Sequence, residues 1–429
     1  MLLAGLVPAG CDVFKEKKKP LPGERISVLG LDRRLEPDPA LANTRVALPQ
    51  AMVNPDWPEP GGNPSHAMQH LALAQTSQRA WSTSIGDGSS RYTRVMSQPV
   101  IAKGRVYAMD GAVQVSALDA QSGNVLWKID LKPEGVRGNA FGGGPCFWND
   151  RLFVSIGHAQ VLALDPADGK VIWRQNVTAP VHAPPTVADG RVFVVTVENE
   201  LNALSADDGR RLWVHNGIPE TAGLLGAASP AVEGEVVVVA YKSGELFALR
   251  VENGRVIWSD NLAATRNVDA VSNLADIRGR PVIDRGRVFA VSHSGRMTSI
   301  NLRGGDRVWE QEIGSSNGPW VAGEYVFVLA SDNQLVCLTR ADGKIRWVCP
   351  LQRYEDEKNR SDPIRWAGPV LAGDRLIALS SLGTAALVSP YTGELLGTMA
   401  MSAGGYLGPV IADNALYLLT DDANLSAYR

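Results

Sequence analysis

From residue 99 onward the chain writes one unit eight times, and that repeat limits the fold more than any other feature. Aligned starts fall at Pro99, Pro145, Pro185, Pro230, Pro281, Pro319, Pro369 and Pro409, spaced by 46, 40, 45, 51, 38, 50 and 40 residues. A period of this size belongs to propeller blades or to helical arrays. The runs inside the unit decide between them. GRVYAM (104–109), DRLFVS (150–155), GRVFVV (190–195) and GRVFAV (286–291) alternate with period two and are rich in Val, Leu and aromatics. That is strand periodicity, not helix periodicity.

Fixed markers divide each unit into four short antiparallel strands. Eighteen residues after each proline stands a residue of the set Ala117, Ala163, Ala203, Ala248, Ser299, Cys337, Leu387 and Ala427. Twenty-four residues after the first seven prolines stands a glycine, from Gly123 to Gly393, at the place of a turn that needs positive φ. Four residues later comes Trp127, Trp173, Trp213, Trp258, Trp309 or Trp347, with Gly397 as the exception. The tryptophan falls on the outermost strand, where it can pack against the third strand and the next blade. The eighth unit runs out after three strands, which would leave an open edge. QRAWSTSIG (78–86) resembles the missing strand, with Trp81 in the tryptophan slot. The expectation is therefore an all-β, eight-bladed propeller of four-stranded blades, closed by an N-terminal strand.

Composition removes several functions. The formal charge is -3, from 42 Lys+Arg and 45 Asp+Glu, so the basic excess of a phosphate-gripping nucleic-acid binder is missing. No run of 18 apolar residues occurs, so no spanning helix is expected. Cys11, Cys146, Cys337 and Cys349 form no C-x-x-C element, which takes away the zinc-ribbon, thioredoxin and c-type haem readings. Cys337 and Cys349 share one unit, but a simple hairpin register does not put them on one face. His66 and His70 lack the glutamate and third ligand of a metal site, and a short capping helix or strand lead-in accounts for them. FGGGP (141–145) leads into a strand, not a helix, so it reads as a channel-side turn rather than a phosphate cradle.

The N-terminus reads as an address and a tether. MLLAGLVPAG (1–10) is apolar, ends in small residues before Cys11, and is similar to the tail of a bacterial lipoprotein signal whose cysteine is lipidated. It lacks a charged n-region and carries Pro8 where leucine is usual, which is expected if Met1 lies within a longer signal. Residues 11–64 are broken by prolines from Pro20 to Pro64 and are expected to be an extended tether, with 65–429 forming the propeller.

The phrase A-L-D-x-x-x-G-x-x-x-W is explicit in ALDAQSGNVLW (117–127) and ALDPADGKVIW (163–173). Degenerate copies are ALSADDGRRLW (203–213), ALRVENGRVIW (248–258) and CLTRADGKIRW (337–347). It resembles the repeat of quinoprotein (PQQ-type) propellers, and the resemblance covers about residues 71–429. Two branches of that superfamily compete. The dehydrogenase branch implies a quinone, calcium ligands, a catalytic Asp and commonly a vicinal cysteine pair. No Cys-Cys occurs here, and Asp119 and Asp165 sit at turns of the structural phrase.

The branch of BamB-like outer-membrane assembly lipoproteins explains more of the chain. It implies a non-enzymatic scaffold without cofactor or metal, lipid-anchored at Cys11 to the periplasmic face of the outer membrane, a monomer within a larger complex. Its implied partner is a BamA-like barrel protein, bound through POTRA domains, with nascent β-barrel proteins as a further contact and no nucleic acid. A ligand-binding periplasmic propeller is the third reading. In the scaffold family the partner surface lies on the loops leading into blades four and five. GLLGAASP (223–230) places Leu224 in the family's leucine position and Leu225 where it has arginine. NLADIRGRP (273–281) keeps Asp276 and puts Arg278 at a second acidic position. Loop length points partly the same way: the longest connections are 259–280 and 348–368, and long loops on a rigid scaffold are the first candidates for binding.

Overall fold

Alternating side chains and tight turns fold each repeat into a meander whose three inner strands are buried on both faces. The computed structural model describes residues 35–75, 78–220, 223–263 and 275–429, and Glu36–Arg429 form one unit. Blade 1 is Val100–Ala102, Arg105–Met109, Gln114–Asp119 and Val125–Asp130, paired antiparallel in that order. Blades 2 to 7 repeat the pattern, with inner strands Gly143–Trp148, Thr186–Ala188, Ala231–Glu233, Val282–Asp284, Trp320–Ala322 and Trp366–Ala372. Blade 8 has Val410–Ala412, Ala415–Leu419 and Asn424–Tyr428, and its fourth strand is Arg79–Ser84 from the other end of the chain. Trp81 there pairs with Ala427. The fold is an all-β, eight-bladed propeller. Among the described residues the helical content is one 3-10 turn, Pro39–Leu41.

The markers acquire physical reasons in the structure. Tyr107, Ala117 and Trp127 lie in one row across three strands, and so do Phe193, Ala203 and Trp213. The two rings of such a row sit 6.1 and 5.9 Å apart at their centroids, above the small residue between them. A larger side chain at the middle position would force the rings apart. Blade 7 shows the converse: its row is Ile377, Leu387 and Gly397, so where both rings are missing the middle residue grows to leucine.

Each indole also ties its blade to the next. Trp81 Nε1 donates to the Ala120 carbonyl at 3.1 Å, Trp127 to Pro166 at 3.1 Å, and Trp258 to Leu302 at 2.7 Å. Trp309 bonds Arg340 at 2.9 Å and Trp347 bonds Pro390 at 3.1 Å in the same way. The seam without an indole lies between blades 7 and 8. Blade 8 takes its outer strand from residues 79–84, so it has no third turn for a ring to cover.

The proline-rich segment departs from the expectation of an extended tether over 11–64. Its residues 11–34, with Cys11, lie outside the described residues, but 36–64 pack on the propeller. The inner strand of a blade exposes one backbone edge to the central channel, and buried amides there need acceptors. From Asn54 to Leu71 the chain makes one circuit of the channel and supplies them. The amides of Ile101, Phe147, Val232 and Ile283 donate to the carbonyls of Trp57, Pro58, Pro64 and Ser65 at 2.6–2.8 Å. The Val187 amide donates to the Glu59 carboxylate. Trp320 Nε1 reaches the Gln69 carbonyl at 2.8 Å, and the Gly373 amide reaches Leu71 at 2.9 Å. Proline suits this circuit because it gives a carbonyl without demanding a partner for an N–H. Trp57 is fully buried and stacks on Trp320, with centroids 6.4 Å apart. The channel is thereby closed at the end where the first and second strands turn.

Candidate functional site

The other end of the channel stays open as a funnel of about 640 Å³, lined by the loops leading into the blades. Leu224, Leu225 and Arg278, expected from sequence to face a partner, all line it. Leu225 is 45% exposed at the rim, the most accessible of them, while Leu224 is half-buried. Asp276 does not join them at the surface. It is buried, and its carboxylate accepts a hydrogen bond from the Leu224 amide at 2.7 Å. The Asp276 carbonyl takes the His293 amide at 2.9 Å. Asp276 therefore latches the loop into blade 4 onto the loop into blade 5. Burial raises its pKa above the ordinary carboxylate value, against the lowering effects of the Leu224 amide, Lys242 and Arg278.

The floor of the funnel carries no recognisable motif. Arg280 reaches across from blade 5 and donates through Nη2 to Gln98 Oε1 of the facing blade 1 at 2.9 Å. Gln98 in turn donates to the Gly408 carbonyl at 2.9 Å. Beneath this crossbar lies the circuit: a Cβ at Gly61 would stand 3.3 Å from Arg280 Nε and 2.5 Å from the His66 ring. His66 Nδ1 bonds the Pro281 carbonyl at 2.7 Å, so it is a structural residue of the plug, in neither a helix nor a strand. Burial and then the Arg280 charge lower its pKa to about 3, which keeps it neutral. His70 Nδ1 bonds the Pro49 carbonyl at 2.9 Å.

The connection 348–368 also builds the rim. It folds into a small hairpin, Tyr354–Asp356 with Ser361–Pro363, and Trp366 Nε1 pins it by donating to the Gln352 carbonyl at 2.9 Å. Arg365 lies over the Tyr406 ring, 5.5 Å from its centroid. The FGGGP turn packs at the seam between blades 2 and 3, where a Cβ on Gly142 would come 2.7 Å from His182 Cα. Burial, then Lys242, lowers the His182 pKa to about 4. Cys337 faces Trp347 and Cys349 faces Leu335 in the strand register, and both thiols are free and buried.

A family model described as outer membrane protein assembly factor BamB matches residues 110–348, more than half of the chain. The chain belongs to the BamB family. A BamB of Yersinia pestis is 27% identical over 356 residues, covering 82% of this chain and 88% of that one. The solved BamB of Moraxella catarrhalis superposes with a TM-score of 0.68 at 16% identity, covering 82% of this chain and all of the other. The quinohemoprotein alcohol dehydrogenase of Comamonas testosteroni superposes almost equally well, with a TM-score of 0.67 at 14% identity over 88% of this chain and 81% of that one. At those identities the likeness concerns the fold, and the propeller itself does not separate a BamB from a quinoprotein. The donor set bears on the quinone reading. Among the described residues no three His, Cys, Asp or Glu side chains converge to hold a metal, and the one carboxylate side chain lining the funnel is Asp332. That lining does not fit a calcium-held quinone.

Proposed function

We propose that the protein is a non-enzymatic scaffold of outer-membrane β-barrel assembly, anchored by lipid at Cys11 to the periplasmic face of the outer membrane. Its partner is the POTRA region of a BamA-like barrel protein, and nascent β-barrel chains are a further contact. The observation that carries this reading is membership of the BamB family over the repeat region, together with the arrangement of the open end. A ring stapled by indoles and plugged on one side is rigid. It presents Leu224, Leu225 and Arg278 on loops whose backbone is fixed by Asp276. A fixed apolar pair beside guanidinium groups suits a small interface, in which aromatic, apolar and Arg side chains anchor and a polar rim surrounds them. Binding then costs little loop ordering, because the loops are held before the partner arrives.

The test is recovery of partners from a detergent extract of membranes by the tagged mature protein. Wild type is expected to recover a BamA-like barrel protein, and Leu225→Asp, at an exposed position that leaves the fold intact, is expected to lose most of it. Recovery of a barrel protein by both would keep the function and move the contact elsewhere. Failure of wild type to recover any barrel protein, in an extract where the assembly complex survives, would reject the function.

A further inference from the structure

The charge of the funnel is one-sided. Arg94, Arg353 and Arg365 stand exposed at its rim, and Arg278 and Arg280 lie deeper. Among the described residues no carboxylate comes within ion-pair distance of any of these five guanidinium groups. The carboxylates nearby make their hydrogen bonds to other groups. Asp276 accepts from the Leu224 amide, and Glu357 accepts from the Arg353 amide at 2.9 Å. Asp332 lines the wall on blade 6; its Oδ2 accepts from the Gln334 side chain and its Oδ1 is buried without a hydrogen-bond partner. Asp421, on blade 8, is bonded by the Ser89 side chain and feels Arg94 and Arg365 only through space. Burial lowers the Arg278 pKa, opposed by the through-space attraction of Asp276 and aided by the Arg365 charge; burial and then the Arg278 charge hold the Arg280 pKa down to about 10.

A guanidinium drawn into a blind cavity without a counter-charge is unfavourable unless something supplies one. Arg280 is held in place by Gln98, a neutral acceptor on the far side of the channel, which leaves its charge uncompensated. Two neutral imidazoles, His182 and His293, are part of the polar lining, each with a buried Nδ1 that has no partner. Leu224, Leu225, Ile364, Trp366 and Tyr406 supply apolar surface above the floor. A cavity of about 640 Å³ exceeds what a single small anion fills and accommodates several amino-acid residues.

We propose that the funnel receives an acidic polypeptide segment of a protein partner, its carboxylates meeting Arg278 and Arg280 at the floor and its apolar side chains meeting the leucine and aromatic wall. The proposal rests on the scaffold reading for the nature of the partner and goes beyond it in naming the chemistry recognised and its place. Carboxylate–guanidinium pairs made in a cavity are charge-assisted and bidentate, so the site is selective for carboxylate over amide at equal size. The exposed rim arginines raise the rate of encounter and make it dependent on salt.

The experiment is calorimetric titration of the purified mature protein with three probes: a capped peptide alternating Asp and Leu, the same peptide with Asn for Asp, and citrate. The acidic peptide is expected to bind, with affinity that falls as salt rises, and the Asn peptide is expected to bind at least about tenfold more weakly. Arg280→Gln is expected to weaken the acidic peptide about tenfold, with an unfolding midpoint no lower than wild type, because an uncompensated cation is removed. Arg365→Gln, at an exposed site, keeps the test open should Arg280→Gln misfold, and is expected to weaken binding and reduce its salt dependence. Equal binding of both peptides, or binding unchanged in both arginine variants, overturns the proposal. Binding of citrate alone overturns the polypeptide occupant and assigns the funnel to small polycarboxylates. No binding of any probe overturns the site, and recovery of the barrel partner from membranes would still stand as a separate result.

Discussion

Trp81 lies over Gly123: a Cβ on that glycine would stand 2.5 Å from the indole, whose Nε1 bonds the Ala120 carbonyl three residues earlier. The pair joins Arg79–Ser84, the first strand among the described residues, to blade 1 and so shuts the ring. Gly123 thus has two reasons to be glycine, its φ of +73° and the ring above it. The same geometry recurs where Gly209 meets Trp173 and Gly343 meets Trp309, each at 2.6 Å.

The two reasons can be separated by substitution. Gly104 has φ +72° and open space around it, with nothing within 4 Å of an added Cβ. Gly104→Ala should therefore lose about 1–2 kcal/mol from the left-handed backbone alone. Gly123→Ala adds displacement of a packed ring, worth about 1–3 kcal/mol more. Urea unfolding midpoints of the two variants compare them directly. Equal losses would mean that the seam yields without cost and that the turn conformation alone selects glycine.

The row beneath each tryptophan makes a second prediction. Ala203 stands between Phe193 and Trp213. Ala203→Leu should cost about 1–3 kcal/mol, the usual penalty for overpacking. Blade 7 carries leucine in that row without difficulty, opposite Gly397, whose added Cβ would meet nothing within 4 Å. An unfolding midpoint unchanged by Ala203→Leu would show that the rings are not fixed by the residue between them.

Glu59 gives the plug a pH dependence. Burial raises its pKa from 4.5 to about 8, and only the Val187 amide opposes the rise. Its Oε2 is buried without a hydrogen-bond partner. Between those two pKa values the folded protein holds a proton that the unfolded chain has released, so this contribution is full below pH 4.5 and is lost as pH rises toward 8. Glu59→Gln should match wild type in acid and exceed its stability near pH 8. The gain is on the order of a few kcal/mol, since one pK unit is about 1.4 kcal/mol. Chemical unfolding of both proteins across that range checks the slope, and parallel curves would refute it.

The blades are legible in the sequence because every blade solves one packing problem with residues at fixed offsets. The pattern even records its own exception, since the missing tryptophan and the large residue Leu387 fall in the same blade. A ring stands opposite six of the seven blade tryptophans, at Tyr107, Phe153, Phe193, Phe289, Phe327 and Tyr417, with Val238 opposite Trp258, but it is masked among other apolar strand residues. The circuit from Asn54 to Leu71 is illegible for a physical reason. Its bonds are made by backbone carbonyls, which every residue owns, and its prolines read equally well as a free strap. The funnel floor is illegible because Arg280 and Gln98 are neighbours only once the ring has closed. R-G-R before the blade proline at 281 is the visible trace of it.

Asp276 separates contact from positioning at the proposed partner surface. The family resemblance offers it as a contact residue, yet its carboxylate is turned inward to the Leu224 amide. Asp276→Asn retains an acceptor oxygen of the same shape, so the loop stays latched. Asp276→Ala leaves a buried N–H without a partner, at a cost of about 1–3 kcal/mol, and frees the loop that carries Leu225. Hydrogen exchange at the Leu224 amide should therefore quicken in Asp276→Ala and stay near wild type in Asp276→Asn. Recovery of the barrel partner should follow the same order, lost with alanine and kept with asparagine. If both variants lose the partner while exchange at Leu224 stays slow, the carboxylate charge itself is recognised, and Asp276 must turn outward when the partner binds.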